Sequence, residues 1–234
     1  MAIFLAFGNM KGGVGKSTCT VLAANALSQA PYNYRVTVVD VDRQKSITHL
    51  RKLDADPGVI FPYEVERSDL ATYEARSETL DRENDLVLVD MPGKLDADKP
   101  ASQQEIARVL NTLDFLFIPF TGGNFSLDAS LHFLRYLIEQ YNPHREAAGA
   151  DPLEIVAFSN MHRQRTRNSR YLLSELEQVK AIADIPVMRS KLNDYTLFRD
   201  TDTVTSLYDT SGIDPARYNF TKWIKEFHEI LTNE

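Results

Sequence analysis

Cysteine is nearly absent from this chain. Cys19 is the only one in 234 residues. That excludes an internal disulfide framework, a paired-thiol redox motif, and a zinc or iron–sulfur centre built from cysteines of one subunit. A lone thiol fits a reducing compartment. Long hydrophobic runs are also missing. The N-terminus, MAIFLAFGNMKGG, offers about six apolar residues before its glycines, far short of the roughly 18–20 that span a bilayer. No later segment does better, so the expectation is a soluble, cytoplasmic protein. Histidine is sparse, and His49, His132, His144, His162 and His228 show no ligand spacing. Glycine and proline stand at 10 each, which excludes collagen-like and low-complexity chains. Basic charge is not in excess: 26 Lys and Arg face 33 Asp and Glu, for a net −7. Wholesale coating of nucleic acid is thereby excluded, but a local basic patch is not.

What is present is an ordinary globular composition, 43% hydrophobic, enough for a core without covalent staples. Short apolar runs alternate with helical patterns. Strands are expected at Ile3–Phe7, Arg35–Val39, Val59–Val65, Leu86–Val89, Phe115–Phe120 and Leu153–Phe158. Helices are expected at Lys16–Gln29, Leu70–Leu80, around Ile106–Leu110, and at Leu127–Tyr141, Arg170–Ala181 and Pro215–Leu231. The segment Asn142–Asp151 reads as a loop. Apolar runs of strand length between helices predict an α/β fold, with a doubly wound, mostly parallel sheet flanked by helices. No linker divides the chain, so residues 1–234 are expected to form one domain.

Residues 11–18 read Lys-Gly-Gly-Val-Gly-Lys-Ser-Thr, after a strand and opening a helix. That is the context in which a glycine-rich loop cradles phosphate. Gly12, Gly13 and Gly15 let the backbone approach the anion, and the amides from Gly12 to Thr18, Val14 included, point at it with the helix N-terminus behind them. Lys16 is expected to reach the β- and γ-phosphates, and the Ser17 hydroxyl to ligate Mg²⁺. The glycine usual five places before Gly15 is Met10 here, and Lys11 heads the loop. Asp40 and Asp42 follow the second strand in Val-Val-Asp-Val-Asp-Arg-Gln, and Asp90 ends Leu-Val-Leu-Val-Asp. An acid after a buried apolar run needs a partner, which Mg²⁺ or its waters would supply; a helix cap or a turn would also account for each. Gly93 reads either as the hinge of a switch loop or as a tight turn.

The loop Lys11–Thr18 resembles the deviant Walker A loop of the ParA/MinD ATPases, cytoplasmic bacterial enzymes that distribute plasmids, chromosomes or large complexes. The resemblance implies a P-loop fold, ATP and Mg²⁺. It implies that Lys11 reaches the nucleotide of a partner subunit in an ATP sandwich homodimer. The segment from Asp40 resembles the family's DxDPQ, and Asp90 its Walker B acid. By position, Asp40 and Asp90 then belong with Ser17 around the metal, and Asp42 orients the attacking water. Lys11, Lys16 and Asp42 carry hydrolysis in that reading. The family's proline after the second acid is Arg43 here. Asn160 ends a strand where related nucleotide hydrolases can use an amide to read the base, and Ile185-Pro186 resembles the family's second base-contacting segment; a turn cap and a loop proline would also account for them.

Residues 160–199 carry eight Lys and Arg against four Asp and Glu, a net of +4, leaving −11 on the rest of the chain. Such segregation is the footprint of a phosphate-backbone surface. The candidates are Arg163, Arg165, Arg167, Arg170, Arg189 and Lys191. A solvated helix face, or arginines serving ATP or the dimer, would also account for them. The resemblance to ParA-type members implies binding of nonspecific DNA by the ATP-bound dimer, hence nucleoid association. It also implies slow hydrolysis stimulated by an adaptor protein. The chain begins at its first strand and so resembles the short ParA type, which lacks a leading DNA-reading domain. In the last helix, Phe220, Trp223, Ile224, Phe227, Ile230 and Leu231 form an apolar stripe. Its polar face mixes lysine with glutamate, which suits core packing rather than a membrane. The alternatives are a MinD-like membrane-positioning ATPase, a metabolic ATP-dependent enzyme on the same fold, and a nucleotide-dependent scaffold with negligible hydrolysis.

Overall fold

The computed structural model describes residues 1–92, 100–183 and 185–233. The strands are β1 (Ile3–Phe7), β2 (Val36–Asp40), β3 (Glu64–Arg67), β4 (Leu86–Asp90), β5 (Phe115–Phe120) and β6 (Glu154–Ser159). They form a 6-stranded sheet in the order β3-β2-β4-β1-β5-β6. Each neighbouring pair is parallel. The helices are α1 (Lys16–Leu27), α2 (Ser46–Leu53), α3 (Leu70–Glu83), α4 (Pro100–Leu110), α5 (Asn124–Tyr136), α6 (Asn142–Ala147), α7 (Arg167–Ala183), α8 (Thr196–Arg199) and α9 (Pro215–Thr232). The doubly wound α/β expectation is met.

Side chains of successive strand residues point to opposite faces, and the core divides accordingly. Leu5, Phe7, Val38, Leu86, Leu88, Phe117, Val156 and Phe158 pack with α1 and α9 on one face. Phe4, Ala6, Val39, Val87, Val89, Leu116, Ile118 and Ile155 pack with α3, α4, α5 and α7 on the other. Both faces being covered explains why the central strands read as unbroken apolar runs. Helix α1 is buried on nearly all sides. In α9, Phe220, Trp223, Ile224 and Phe227 have no solvent exposure, and Trp223 stacks on Phe7 and Phe227. The apolar stripe of the last helix is therefore a core face.

Several boundaries differ from the sequence expectation. The strand expected at Val59–Val65 lies at Glu64–Arg67, an edge position whose residues are half-exposed or exposed. Helices α2 and α8 carry too few apolar residues to announce themselves; α2 buries only Ile47. The Asn142–Asp151 segment is not a loop throughout. After α5 the chain makes a π-helical turn at Leu137–Tyr141 and continues as α6, with Pro143 in the first turn, where its missing N–H costs nothing. Gly93 lies outside the described residues.

In chain order, β2 and β3 lie on one side of β1, and β5 and β6 on the other. The carboxyl ends of the strands at this reversal are where open α/β sheets hold ligands. The loop after β1 opens there.

Candidate nucleotide site

The loop begins under tight constraint. A Cβ on Gly8 would meet Leu116 Cδ1 at 2.5 Å. The buried Asn9 amide donates to Pro119 O at 3.0 Å and to Ser130 Oγ at 2.8 Å, while its Oδ1 accepts from Lys11 N at 2.9 Å. Asn9 thus ties the start of the loop to β5 and α5. Gly13 and Gly15 take φ of +77° and +90°, conformations suited to glycine. Gly15 is the N-cap of α1, and no side chain bonds the helix's free amides from that position. Such free amides suit an anion.

Lys16 is buried and donates to Lys11 O at 3.3 Å. Burial pulls its amine below the ordinary lysine range, against the opposing pull of Asp90 and Asp42. Lys11, by contrast, is exposed. The Ser17 hydroxyl lies 2.9 Å from both carboxylate oxygens of Asp90.

Asp40 and Asp90 are register partners across the β2–β4 ladder, and neither has any solvent exposure. Burial first, then the neighbouring Asp40, pushes the Asp90 carboxyl up to about 7. Asp40 divides its oxygens. Oδ2 accepts from Thr48 N at 2.9 Å and Thr48 Oγ1 at 2.7 Å, which anchors α2. Oδ1 is buried without a partner. An orphaned carboxylate oxygen costs about 1–3 kcal/mol. It fits a missing cationic neighbour or its bound water. Among the described residues no group of three or more His, Cys, Asp or Glu could by itself hold a metal ion. The donor set of Ser17, Asp40 and Asp90 instead suits Mg²⁺, which keeps most of its waters and binds phosphate oxygens.

Asp42 accepts from Gln44 N at 2.8 Å in a tight turn. That turn is closed by Lys45, which adopts φ of +52° and donates its amine to Asp40 O at 2.6 Å and Ser68 O at 2.5 Å. Arg43 pairs with Glu105 of α4 at 2.6 Å. A cavity of about 610 Å³ opens between these elements. Gly12, Gly13, Gly15, Lys16, Ser17 and Thr18 line it on the loop side, and Asp42, Arg43, Gln44 and Glu105 line it opposite. Lys16, Ser17 and Asp42 are thus brought together here, with Asp90 behind Ser17 and Asp40 beside it, while Lys11 and Val14 do not line the cavity.

Neither candidate base contact lines this cavity. Asn160 is buried, and its amide donates to Val14 O at 2.8 Å. A Cβ on Gly15 would lie 2.6 Å from that amide nitrogen. Asn160 therefore braces the loop, and it also lines a narrow cleft with Thr18, Met161 and Asp194. Pro186 is exposed and lines neither space, although its carbonyl accepts from Ala157 N at 2.9 Å.

The basic residues divide into three groups. Arg163 pairs with Asp194 at 2.6 Å, and Asp194 also pairs with Arg199. Arg165, Arg167 and Arg170 are exposed on the loop after β6 and the first turn of α7. Arg189 and Lys191 share a second hollow of about 410 Å³ with Lys222 and His162.

Comparison with known proteins agrees with this geometry. No curated protein matches the chain. Among solved structures, McdA of Cyanothece in complex with ATP superposes with a TM-score of 0.70 at 15% identity, over 97% of this chain and 96% of that one. The MinD cell division protein of Aquifex aeolicus gives 0.66 at 14% identity, over 100% and 98%. Cobyrinic acid a,c-diamide synthase of Mycobacterium smegmatis, with a bound ATP analogue and magnesium, gives 0.62 at 16% identity, over 99% and 96%. At such identities the likeness speaks for the fold. The sequence itself, over residues 5–193, matches the CobQ/CobB/MinD/ParA nucleotide binding domain, and the chain belongs to that family.

Proposed function

We propose that the chain is a ParA-type ATPase. It binds Mg-ATP, pairs as a nucleotide sandwich homodimer, binds nonspecific DNA in that state and hydrolyses ATP to distribute a cargo. The observation that carries this reading is the convergence of Lys16, Ser17 and Asp42 on one cavity at the carboxyl ends of the strands, with the buried Asp90 bonded to Ser17 and Asp40 its register partner. Bound Mg²⁺ would neutralise phosphate charge. The rest falls to the chain. The α1 amides and Lys16 hold the triphosphate. Ser17 and the buried acid pair fix the metal's position. Asp42, on the cavity wall, orients the attacking water. Lys11, exposed at the head of the loop, crosses to the partner's nucleotide.

The DNA-binding part of the reading rests on Arg165, Arg167, Arg170, Arg189 and Lys191, which are exposed or partly exposed and on the carboxyl-end side of β6. Arg163 contributes less than the sequence suggested, because Asp194 already holds it. Binding of duplex DNA with ATP, with ADP and without nucleotide tests the proposal. Binding should require ATP, and Arg165→Glu with Arg167→Glu should weaken it and flatten its salt dependence. Equal binding in all three nucleotide states would sink the DNA reading. A MinD-like membrane role would need a free apolar face on α9, and that face is core.

A further inference from the structure

Arg43 stands where the resemblance places a proline, and the cavity gives it a use. Its guanidinium lies 2.6 Å from Glu105 Oε1, with the two side chains 80% and 40% exposed. Both residues line the phosphate cavity, together with Lys16 and Asp42. An ion pair this open to water contributes little to stability and is readily exchanged. A terminal phosphate carries more charge than one carboxylate and accepts the guanidinium fork bidentately. The sheet order also orients the ligand. Asn160 and its cleft lie toward β6, whereas Arg43 follows β2 on the opposite side of β1. A nucleotide with its base on the β6 side would therefore extend its terminal phosphate toward Arg43.

The geometry points to Arg43 as a terminal-phosphate ligand that leaves Glu105 when ATP binds, so that this side chain discriminates ATP from ADP. The inference rests on the reading of the cavity as a Mg-nucleotide site. Glu105 acts as the competing anion: it holds the guanidinium when the terminal phosphate is absent.

Calorimetric titration of Mg-ATP and Mg-ADP into the wild type, Lys16→Ala, Arg43→Ala, Arg43→Lys, Glu105→Gln and the double Arg43→Ala/Glu105→Gln variant tests this. Arg43→Ala should weaken ATP about tenfold and ADP by less than about threefold, as expected for a lost charge-assisted contact. Arg43→Lys should fall between. Glu105→Gln should tighten ATP about threefold when Arg43 is present and not when it is alanine, a non-additivity that mere removal of a negative charge would not produce. ATP binding that is lost in Lys16→Ala yet indifferent to Arg43 would overturn this inference alone. So would equal tightening by Glu105→Gln in both backgrounds. Absence of ATP binding by the wild type would overturn the reading of the cavity, and this inference with it.

Discussion

Asp90 sits beside Asp40, both without solvent exposure, and the two carboxyls cannot both carry full charge at low cost. Burial and Asp40 raise the Asp90 carboxyl from 3.8 to about 7. The folded chain therefore holds a proton that the unfolded chain has already released between those values. Stability from this group is complete below the unfolded value and declines as pH rises through about 7. Asp90→Asn should flatten that decline in metal-free protein and melt no lower than wild type at pH near 8. Thermal melts across the range check it, and parallel pH profiles would contradict it. The loop offers a second test. Gly15→Ala forces an L-residue to φ +90° and drives a Cβ to 2.6 Å from Asn160 Nδ2. It should cost about 1–3 kcal/mol in urea unfolding. Asn160→Ala should cost about 1 kcal/mol by losing the Val14 bond. Because the clash disappears with Asn160, the double variant should lose less than the two changes summed. Strict additivity would mean that Asn160 does not brace the loop.

At the scale of elements, α9 separates a core role from a surface one. Trp223→Ala should cost about 3–5 kcal/mol, since the indole is fully buried among Phe7, Phe158, Phe220 and Phe227. Glu229→Ala on the exposed face should stay within about 0.5 kcal/mol. Denaturant unfolding decides, and similar costs at both positions would place the helix outside the core. The central strands were legible because burial on both faces forces unbroken apolar runs such as Leu86–Val89. Edge strand β3 was misplaced because Glu-Val-Glu-Arg carries no such run. Helix α2 was invisible because its register is held by Thr48 bonding to Asp40 rather than by an apolar stripe. The nucleotide loop was legible because glycine spacing and lysine position are local. Asn9 and Glu105 were not, since their roles depend on partners as remote in sequence as Ser130 and Arg43.

For the whole molecule, the sheet places the phosphate loop, the acid pair and the loop bearing Arg163 and Arg165 at the carboxyl ends of its strands. The acidic remainder of the chain, at −11, keeps nonspecific attraction to nucleic acid low except over residues 160–199. A second copy facing the first would double that positive surface and raise its avidity without new contacts. Lys11 is the residue on which such pairing turns in the proposed function. It is exposed at the head of the loop while Lys16 is buried behind it. The most direct measurement is the solution mass by light scattering with and without Mg-ATP, for wild type and Lys11→Ala. The account predicts that ATP doubles the wild-type mass and leaves the variant a monomer that still binds nucleotide. A wild-type mass unchanged by saturating ATP, or a variant that pairs as readily as wild type, would contradict it.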